Sequence, residues 1–381
     1  MRTNRGGVEN AVSTTKRIPI CEPDISALEH SLVSRSLKSG WLSSKSPAVR
    51  QFEEAFAGSV GCRYAHAVSS GTAALQLALA GLGIGKDDEV IVPDLTFVAT
   101  ANAVSYLGSR PVLVDVTRNS WTIDPDQILS KLGKKTKAII VVHLYGHPAD
   151  MSPLLRIAKA HKLAIVEDAA EAYGARYKKR HVGGLASAGC FSFFGNKTLT
   201  TGEGGIITTN SKRLYNRIVF LNNHAMSQER KYYHPIIGYS YRMGSLQAAL
   251  GLAQVKRAAG LIAKKRRIAS MYRALLADLH EYFVFPPQER WARSSSWMFS
   301  VLLKPGKKGN RADLMGFLES NNIETRPFFS PLHRLPMYRQ ADRFPVSSML
   351  AKRGMSLPSG TTLTRIDIAR VSHVIHDFFR I

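Results

Sequence analysis

Short runs of apolar and β-branched residues alternate with longer segments of helical periodicity between residues 72 and 209. These apolar runs lack the polar alternation of a half-exposed strand, so both faces of their sheet are expected to be buried, as in parallel sheets. The predicted strands are Asp88–Val92, Pro111–Val116, Ala138–His143, Leu163–Asp168, Gly189–Phe193 and Ile206–Thr209. The predicted helices among them are Thr72–Leu82, Thr96–Leu107 and Ser152–His161. This alternation indicates an α/β fold.

The pattern changes after residue 244. A long helical periodicity covers Ser245 to about Leu279, and prolines and a serine run then precede a strand at Trp297–Leu303. Helices at Arg311–Asn321 and Ile366–Phe379 complete a smaller α+β unit. We therefore predict a basic, flexible tail over residues 1–17, a large domain over 18–255 and a small C-terminal domain over 256–381.

The chain is strongly basic. Its 381 residues include 52 Lys and Arg against 28 Asp and Glu, a net charge of +24, with 45% hydrophobic residues. That hydrophobic content is typical of a globular protein and excludes a disordered or collagen-like chain. Seven basic residues and no acid lie between Lys256 and Arg273, interleaved with apolar residues at helical spacing. We interpret this stretch as the solvated face of a helix, and nucleic-acid binding remains a remote alternative.

Cysteine usage and apolar runs indicate the compartment. Cys21, Cys62 and Cys190 lie far apart and form no CxxC pair, which excludes a four-cysteine zinc site and fits a reducing environment. No apolar run is long enough to span a membrane, and residues 1–17 lack the apolar core of a secretory signal. We expect a cytoplasmic protein that needs no metal.

A candidate anion site precedes the first predicted helix. Small residues from Ser69 to Leu75 lead into this helix, where free backbone N–H groups and the helix dipole favour a phosphate. An ordinary helix cap without a ligand is the alternative. The glycine-rich stretch that follows is no Walker loop, because Ala80 and Asp87 occupy positions that require Gly and Ser or Thr.

Two further segments carry candidate catalytic groups. Asp168 ends a buried-type strand, and ligands bind beyond the carboxyl ends of strands in open α/β sheets; capping a helix is the alternative role. Lys197 follows an apolar strand and precedes a glycine-rich turn. Partial desolvation there would favour the uncharged amine that attacks a carbonyl carbon, whereas a solvated loop lysine is the alternative.

The order of the motifs resolves these alternatives. SSGTAAL, PDLTFVAT, EDAAEAYGA, FSFFGNKTLTTGEGG and GYSYRMGSLQAA follow one another along the chain. Together they resemble the DegT/DnrJ/EryC1/StrS family of sugar-nucleotide aminotransferases, over nearly the whole chain from about Pro19. The resemblance implies the type I fold of pyridoxal-phosphate enzymes: a doubly wound, mostly parallel sheet domain and a smaller α+β domain. Residues 143–148, 194–205 and 325–333 look most like members that aminate the 4-keto group of GDP-4-keto-6-deoxymannose.

The resemblance also assigns roles around the cofactor ring. Lys197 would form the Schiff base with pyridoxal 5'-phosphate, and Asp168 would pair with the pyridinium nitrogen so that the ring accepts electrons. Phe97 would stack on the ring face, and Glu171 would lie beside the phenolic edge.

The resemblance further assigns the cofactor phosphate to Gly71, Thr72 and Ser192. Relatives commonly carry Asn in the GYNYRMTN motif, where it reaches the phosphate of the neighbouring subunit. Here Ser240 and Gly244 stand at two of the differing positions. We expect the shorter Ser240 to make this contact directly or through water.

The implied reaction is transamination in a homodimer with shared active sites. Glutamate would convert the cofactor to pyridoxamine phosphate, which then aminates the keto sugar for a surface polysaccharide. His224, Arg326 and His333 are candidate substrate-binding residues. The alternatives are a dTDP- or UDP-linked 3- or 4-keto sugar substrate and a catalytically inactive regulatory relative. Family members that dehydrate C3 carry His in place of the lysine, so Lys197 argues against that branch.

Overall fold

The computed structural model describes residues 16–306 and 308–380. Its strands are β1 (Tyr64–Val68), β2 (Glu89–Pro93), β3 (Arg110–Val114), β4 (Thr136–Val142), β5 (Ala164–Asp168), β6 (Arg176–Tyr177), β7 (Arg180–His181), β8 (Ala188–Ser192), β9 (Gly205–Thr209), β10 (Phe283–Val284), β11 (Ala292–Arg293), β12 (Phe299–Leu303), β13 (Arg326–Pro327) and β14 (Gly354–Leu357). Its α-helices are α1 (Ala27–Lys38), α2 (Pro47–Val60), α3 (Gly71–Gly81), α4 (Ala99–Ser105), α5 (Pro125–Ile128), α6 (Met151–Ala160), α7 (Lys212–Asn222), α8 (Ser245–Leu275), α9 (Arg311–Ser320), α10 (Pro345–Arg353) and α11 (Arg365–Arg380).

A seven-stranded sheet in the order β1-β9-β8-β5-β4-β2-β3 lies at the centre of the described chain. The strands from β8 through β5, β4 and β2 to β3 are parallel, whereas β9 runs antiparallel to both β8 and β1. The predicted mostly parallel α/β sheet is therefore confirmed. Because parallel neighbours share one carboxyl edge, the ends of β2, β4, β5 and β8 face the same side of the molecule.

Helices cover both faces of this sheet. Helix α3 is buried along most of its length, since it packs against β8 and β9 on one side and against α4 and α7 on the other. Its buried positions, continuous from Ala73 to Gly81, therefore surround the helix instead of forming one stripe. The Ser70 hydroxyl caps α3 by accepting the N–H of Ala73, which fixes the start of the helix at the edge of the sheet.

A smaller antiparallel sheet in the order β10-β12-β14-β13 forms the second unit. Helix α8 connects the two units, because its first half packs on α2 and its second half lines the core under the small sheet. Buried residues of α8 up to Leu261 belong to the core of the large unit, and those from Ile268 onward belong to the core of the small unit. The domain boundary at residue 255 stays a prediction. The passage of α8 from one core to the other supports a boundary within this helix.

Several elements differ from their predicted bounds. Helix α4 begins at Ala99 instead of Thr96, because the preceding loop is held by contacts of Asp94 with the segment around His333. Helix α8 ends at Leu275 and a 3-10 turn over Ala277–Glu281 completes the predicted helical stretch. Most of the predicted tail, residues 1–15, lies outside the described residues. Among the described helices, none is long and apolar enough to cross a membrane.

Candidate active site

A cavity of about 460 Å³ lies at the carboxyl edge of the central sheet, between the start of α3 and the segment around β13. Most of the residues predicted to form the site line this cavity: Gly71, Thr72, Phe97, Asp168, Glu171, Ser192, Lys197 and Arg326. Ser240, His224 and His333 do not. Residues that are up to 255 positions apart thus meet at one place.

Asp168 is the buried carboxylate of the cavity. It ends β5, and its side chain accepts a hydrogen bond from the Thr100 hydroxyl at 2.8 Å and one from the N–H of Ala170 at 3.2 Å. The hydroxyl oxygen of Thr96 lies 2.9 Å from that of Thr100, so a second hydroxyl group extends this hydrogen-bond network. Burial raises the pKa of Asp168, although the Thr100 hydrogen bond and the charge of Lys197 oppose the rise. Its ionised form therefore requires a cationic partner in the cavity.

Lys197 is held from two sides. Its Nζ lies 3.6 Å from the Glu171 carboxylate and 4.0 Å from the centre of the Trp297 ring. The Trp297 indole N–H also donates to the carbonyl of Asn196, the preceding residue, at 2.8 Å. Only 14% of the Lys197 side chain is exposed, so its amine faces the cavity and not bulk solvent.

Glu171 connects this lysine to the wall of the cavity. The N–H of Tyr145 donates to its carboxylate at 2.8 Å. Burial raises the pKa of Glu171 to about 7, against the opposing effects of the Lys197 charge and the Tyr145 hydrogen bond. Tyr145 has a left-handed backbone (φ 50°), a strained conformation for a residue with a side chain, and its hydroxyl accepts the N–H of Phe329.

The start of α3 approaches β8 closely at Gly71. A Cβ at this position would lie 2.8 Å from the Cβ of Ser192, so only glycine fits without displacement. The N–H groups of Ala73 and Ala74 are taken by Ser70, while helix geometry leaves those of Gly71 and Thr72 without helical partners. The Ser192 hydroxyl and these N–H groups form a concave donor set at the positive end of the helix dipole.

Phe97 and Arg326 occupy the mouth of the cavity. Phe97 is 55% exposed, although it is a large apolar side chain, and its ring contacts Phe329 at 5.5 Å between centroids. Arg326 lies in β13, is exposed, and pairs with Glu324 at 3.3 Å. Both side chains are therefore available to a bound molecule.

His333 lies behind the cavity and not in its lining. Its Nδ1 is 2.7 Å from the carboxylate of Asp94, and its backbone N–H donates to the same group at 2.8 Å. Asp94 is fully buried at the end of β2, and its pKa is raised by burial despite the hydrogen bonds from His333. His333 therefore anchors the segment after β2 that leads to Phe97, and its contact with substrate stays a prediction.

Ser240 and His224 lie together on an exposed surface outside the cavity. The Arg242 guanidinium donates to the Ser240 hydroxyl at 2.9 Å and lies 3.3 Å from Nε2 of His224. Both residues are exposed. A contact of either with the cofactor or substrate would thus have to be made in another copy of the chain.

Three residues that shape the site were not predicted from the sequence: Thr100, Tyr145 and Trp297. Thr100 lies in the PDLTFVAT motif and Tyr145 in the HLYGHP segment, so both stood within stretches already singled out. Trp297 comes from the segment that leads into β12 of the small sheet, and no local pattern relates it to Lys197, 100 residues earlier.

The residues present fit pyridoxal phosphate. The donor set at Gly71, Thr72 and Ser192 suits a phosphate, the buried Asp168 requires a cationic partner, and Phe97 offers an exposed aromatic face. Lys197 lies within the same cavity. Fold and site together define a type I pyridoxal-phosphate enzyme.

Comparison with known proteins identifies the family within this class. Residues 23–376 match the DegT/DnrJ/EryC1/StrS aminotransferase family, and the chain belongs to this family. GDP-perosamine synthase of Escherichia coli O157:H7 is 40% identical over 365 residues, which cover 96% of this chain and 99% of that protein.

Solved structures agree with this assignment. DesV of S. venezuelae, in complex with a ketimine intermediate, is 33% identical with a TM-score of 0.90, over 96% of this chain and all of that one. DesI, solved in the presence of its TDP-sugar product, is 32% identical with a TM-score of 0.90, over 96% of this chain and 94% of that one. The chain is thus an aminotransferase dependent on pyridoxal phosphate, and the predictions of fold, enzyme class and cofactor are confirmed.

Proposed function

We propose that this enzyme transfers an amino group to the 4-keto carbon of a nucleotide-linked 4-keto-6-deoxy sugar. The favoured substrate is GDP-4-keto-6-deoxymannose, the amino donor is glutamate and the product is GDP-perosamine. The observation that carries the proposal is the convergence of Lys197, Asp168 and Glu171 on one cavity, in a chain 40% identical to a GDP-perosamine synthase over almost its full length.

Lys197 is proposed as the group that binds the cofactor and moves the proton. When bound, pyridoxal phosphate supplies an electron sink for the carbon that loses its proton. The Lys197 side chain lines the cavity, and Trp297, which lies against its amine and binds the Asn196 carbonyl, restricts where it can move. A positioned amine of this kind is suited to take a proton from one carbon and return it to another.

Asp168 and Glu171 are proposed to set the charges around the ring. Asp168, oriented by Thr100 and the N–H of Ala170, presents a carboxylate to the cationic nitrogen it requires. The Glu171 carboxylate accepts the backbone N–H of Tyr145 and lies 3.6 Å from Lys197, so it can exchange a proton with the lysine as the charge of the lysine changes. Its pKa of about 7 places both protonation states within reach near neutral pH.

We also propose a homodimer with shared active sites. The segment with His224 and Ser240 carries exposed apolar residues, among them Ile237 at 91% exposure and Tyr232 at 77%. Arg242 is held between the same two polar side chains and is itself exposed. Burial against a second copy would cover the apolar residues and deliver these polar groups to the partner's cavity. Sedimentation is expected to give a dimer or larger assembly, and a monomer with full activity at nanomolar concentration would refute it.

The wider setting of the reaction is also a proposal. A product of this type fits the assembly of surface polysaccharides. The cytoplasm remains a prediction that rests on the three unpaired cysteines and on the nucleotide-linked substrate.

A substrate panel tests the proposal. The purified enzyme is incubated with glutamate and the GDP-, dTDP- or UDP-linked 4-keto-6-deoxy sugar, and the product is identified by mass and by NMR of the aminated carbon. We expect 4-amination of the GDP sugar with the highest kcat/KM. Turnover of only a dTDP or UDP sugar, the alternative that the similarity to DesI favours, would overturn the GDP assignment and leave the aminotransferase class intact.

A further inference from the structure

A second cavity of about 340 Å³ lies behind the active site, in the seam between α8 and the loop over residues 286–296. Tyr145 and Met298 line both cavities and form the wall between them. Three arginines line the second cavity: Arg266 and Arg273, seven residues apart on one face of α8, and Arg293 in β11. The arrangement brings cations together in a space that the proposed reaction does not use.

Two of these guanidinium groups are held in place. Arg266 donates to the carbonyls of Ser294 and Gly174 at 3.1 and 2.8 Å. Arg273 donates to the carbonyl of Pro286 at 2.9 Å and lies over the ring of Phe285. Carbonyl partners orient a guanidinium without neutralising its charge, so both groups keep their capacity to bind an anion.

The positive charge of this cluster is not balanced by protein groups. Within the described ranges 16–306 and 308–380, none of the three arginines forms a salt bridge, and Glu289 is the single acidic residue lining the cavity. Arg293 also stands directly opposite Arg176 in the antiparallel pair of β11 and β6, where like charges are destabilising. Burial and the charges of Arg293 and Arg176 lower the pKa of Arg266 to about 10.

The rest of the lining is suited to an organic molecule. Leu144, Pro286, Pro287 and Met298 provide apolar surface. His147 also lines the cavity, is 4% exposed, and neither ring nitrogen has a hydrogen-bond partner among the described residues. Buried polar atoms normally find a partner in protein, water or ligand.

We propose that this seam is a binding site for a small organic anion with a carboxylate or phosphate group, held by Arg266 and Arg273 with Arg293 at the rim. The guanidinium forks match either group, and the apolar residues contact the carbon skeleton. The site is separate from the cofactor cavity and does not depend on the identity of the sugar substrate.

Isothermal titration of the cofactor-loaded enzyme with glycerol 3-phosphate and with succinate tests the proposal. We expect saturable binding of at least one of these probes, with about one site per chain and no loss of cofactor absorbance. The stronger probe identifies the phosphate or the carboxylate as the natural class. Arg273→Gln should weaken binding at least tenfold, on the scale of losing one charge-assisted bidentate contact.

Two further variants keep the test decisive. Arg293→Gln changes an exposed side chain and should weaken binding without affecting the fold, even if Arg273→Gln proves unstable. Arg267→Gln is the matched control, since Arg267 is exposed on the same helix and does not line the cavity. Absence of saturable binding at millimolar concentration would overturn the proposal. So would equal weakening in the control, or displacement of the cofactor by the probes.

Discussion

Replacement of Trp297 by Phe should slow the enzyme without unfolding it. Trp297 makes two contacts with the segment around Lys197: its indole N–H donates to the Asn196 carbonyl at 2.8 Å, and its ring lies 4.0 Å from the lysine Nζ. Phe removes the first contact and weakens the second, because the face of Phe attracts a cation less than that of Trp. The lysine segment would then be less firmly positioned.

The size of the effect follows from these two contacts. A hydrogen bond between neutral groups contributes about 1 kcal/mol net. The Asn196 carbonyl keeps a weak donor in the Cys21 thiol at 3.4 Å, so the penalty for an unpaired acceptor is small. The weaker cation–π contact adds about 0.5 kcal/mol. If this total of about 1.5 kcal/mol is lost from the positioning of the amine, the rate should fall about tenfold.

The assay compares kcat and the thermal midpoint of Trp297→Phe with those of Trp291→Phe. Trp291 packs against His147 and Tyr177, away from the active-site cavity, so it controls for the general loss of an indole. We expect kcat to fall about tenfold in Trp297→Phe alone. Turnover within about twofold of wild type, or an equal decrease in both variants, would refute this reasoning.

Three further tests concern the cofactor cradle at Gly71, the titration of Glu171 and the net charge of the chain. Gly71→Ala should weaken cofactor binding in an absorbance titration, because the new Cβ meets Ser192 at 2.8 Å; Gly58→Ala, with no atom within 4 Å of its new Cβ, should bind normally. Burial raises the pKa of Glu171 from 4.5 to about 7, so folding takes up a proton between these two pH values. The free energy of unfolding of the cofactor-free protein should therefore fall, by at most about 3 kcal/mol, as the pH rises through this range. Denaturant unfolding of Glu171→Gln should lack this loss, and parallel pH profiles would contradict the assignment. Since the chain carries a net charge of +24, kcat/KM for the anionic sugar nucleotide should decrease as salt increases, whereas a flat dependence together with micromolar DNA binding would favour a nucleic-acid role.

Local patterns sufficed to predict six of the seven strands of the central sheet and the edge at which the site lies. The apolar runs of β2 to β5 identify buried parallel strands, and the rule that ligands bind at their carboxyl ends places Asp168 in the site. Lys197 was predicted from an apolar strand followed by glycines and from the order of the family motifs. These features depend on residues close together in sequence.

Contacts between distant segments could not be predicted in this way. Strand β1 was not predicted, because His66 and two alanines weaken its apolar pattern. What stabilises this strand is its antiparallel pairing with β9, a contact between distant segments. The anchoring of His333 by Asp94 joins positions 239 residues apart, and no periodicity in either segment signals it. The contact of Trp297 with Lys197 is of the same kind.

Borohydride reduction of the cofactor-loaded enzyme, followed by peptide mass mapping, tests directly whether Lys197 binds the cofactor. We expect a pyridoxyl adduct on Lys197 alone. Lys197→Ala should form no adduct, keep its fold and lose several orders of magnitude in transamination, the scale expected when a nucleophile and its proton transfer are removed together. An adduct on any other lysine of the wild-type chain, or near-normal turnover of the variant, would contradict the assignment of the site.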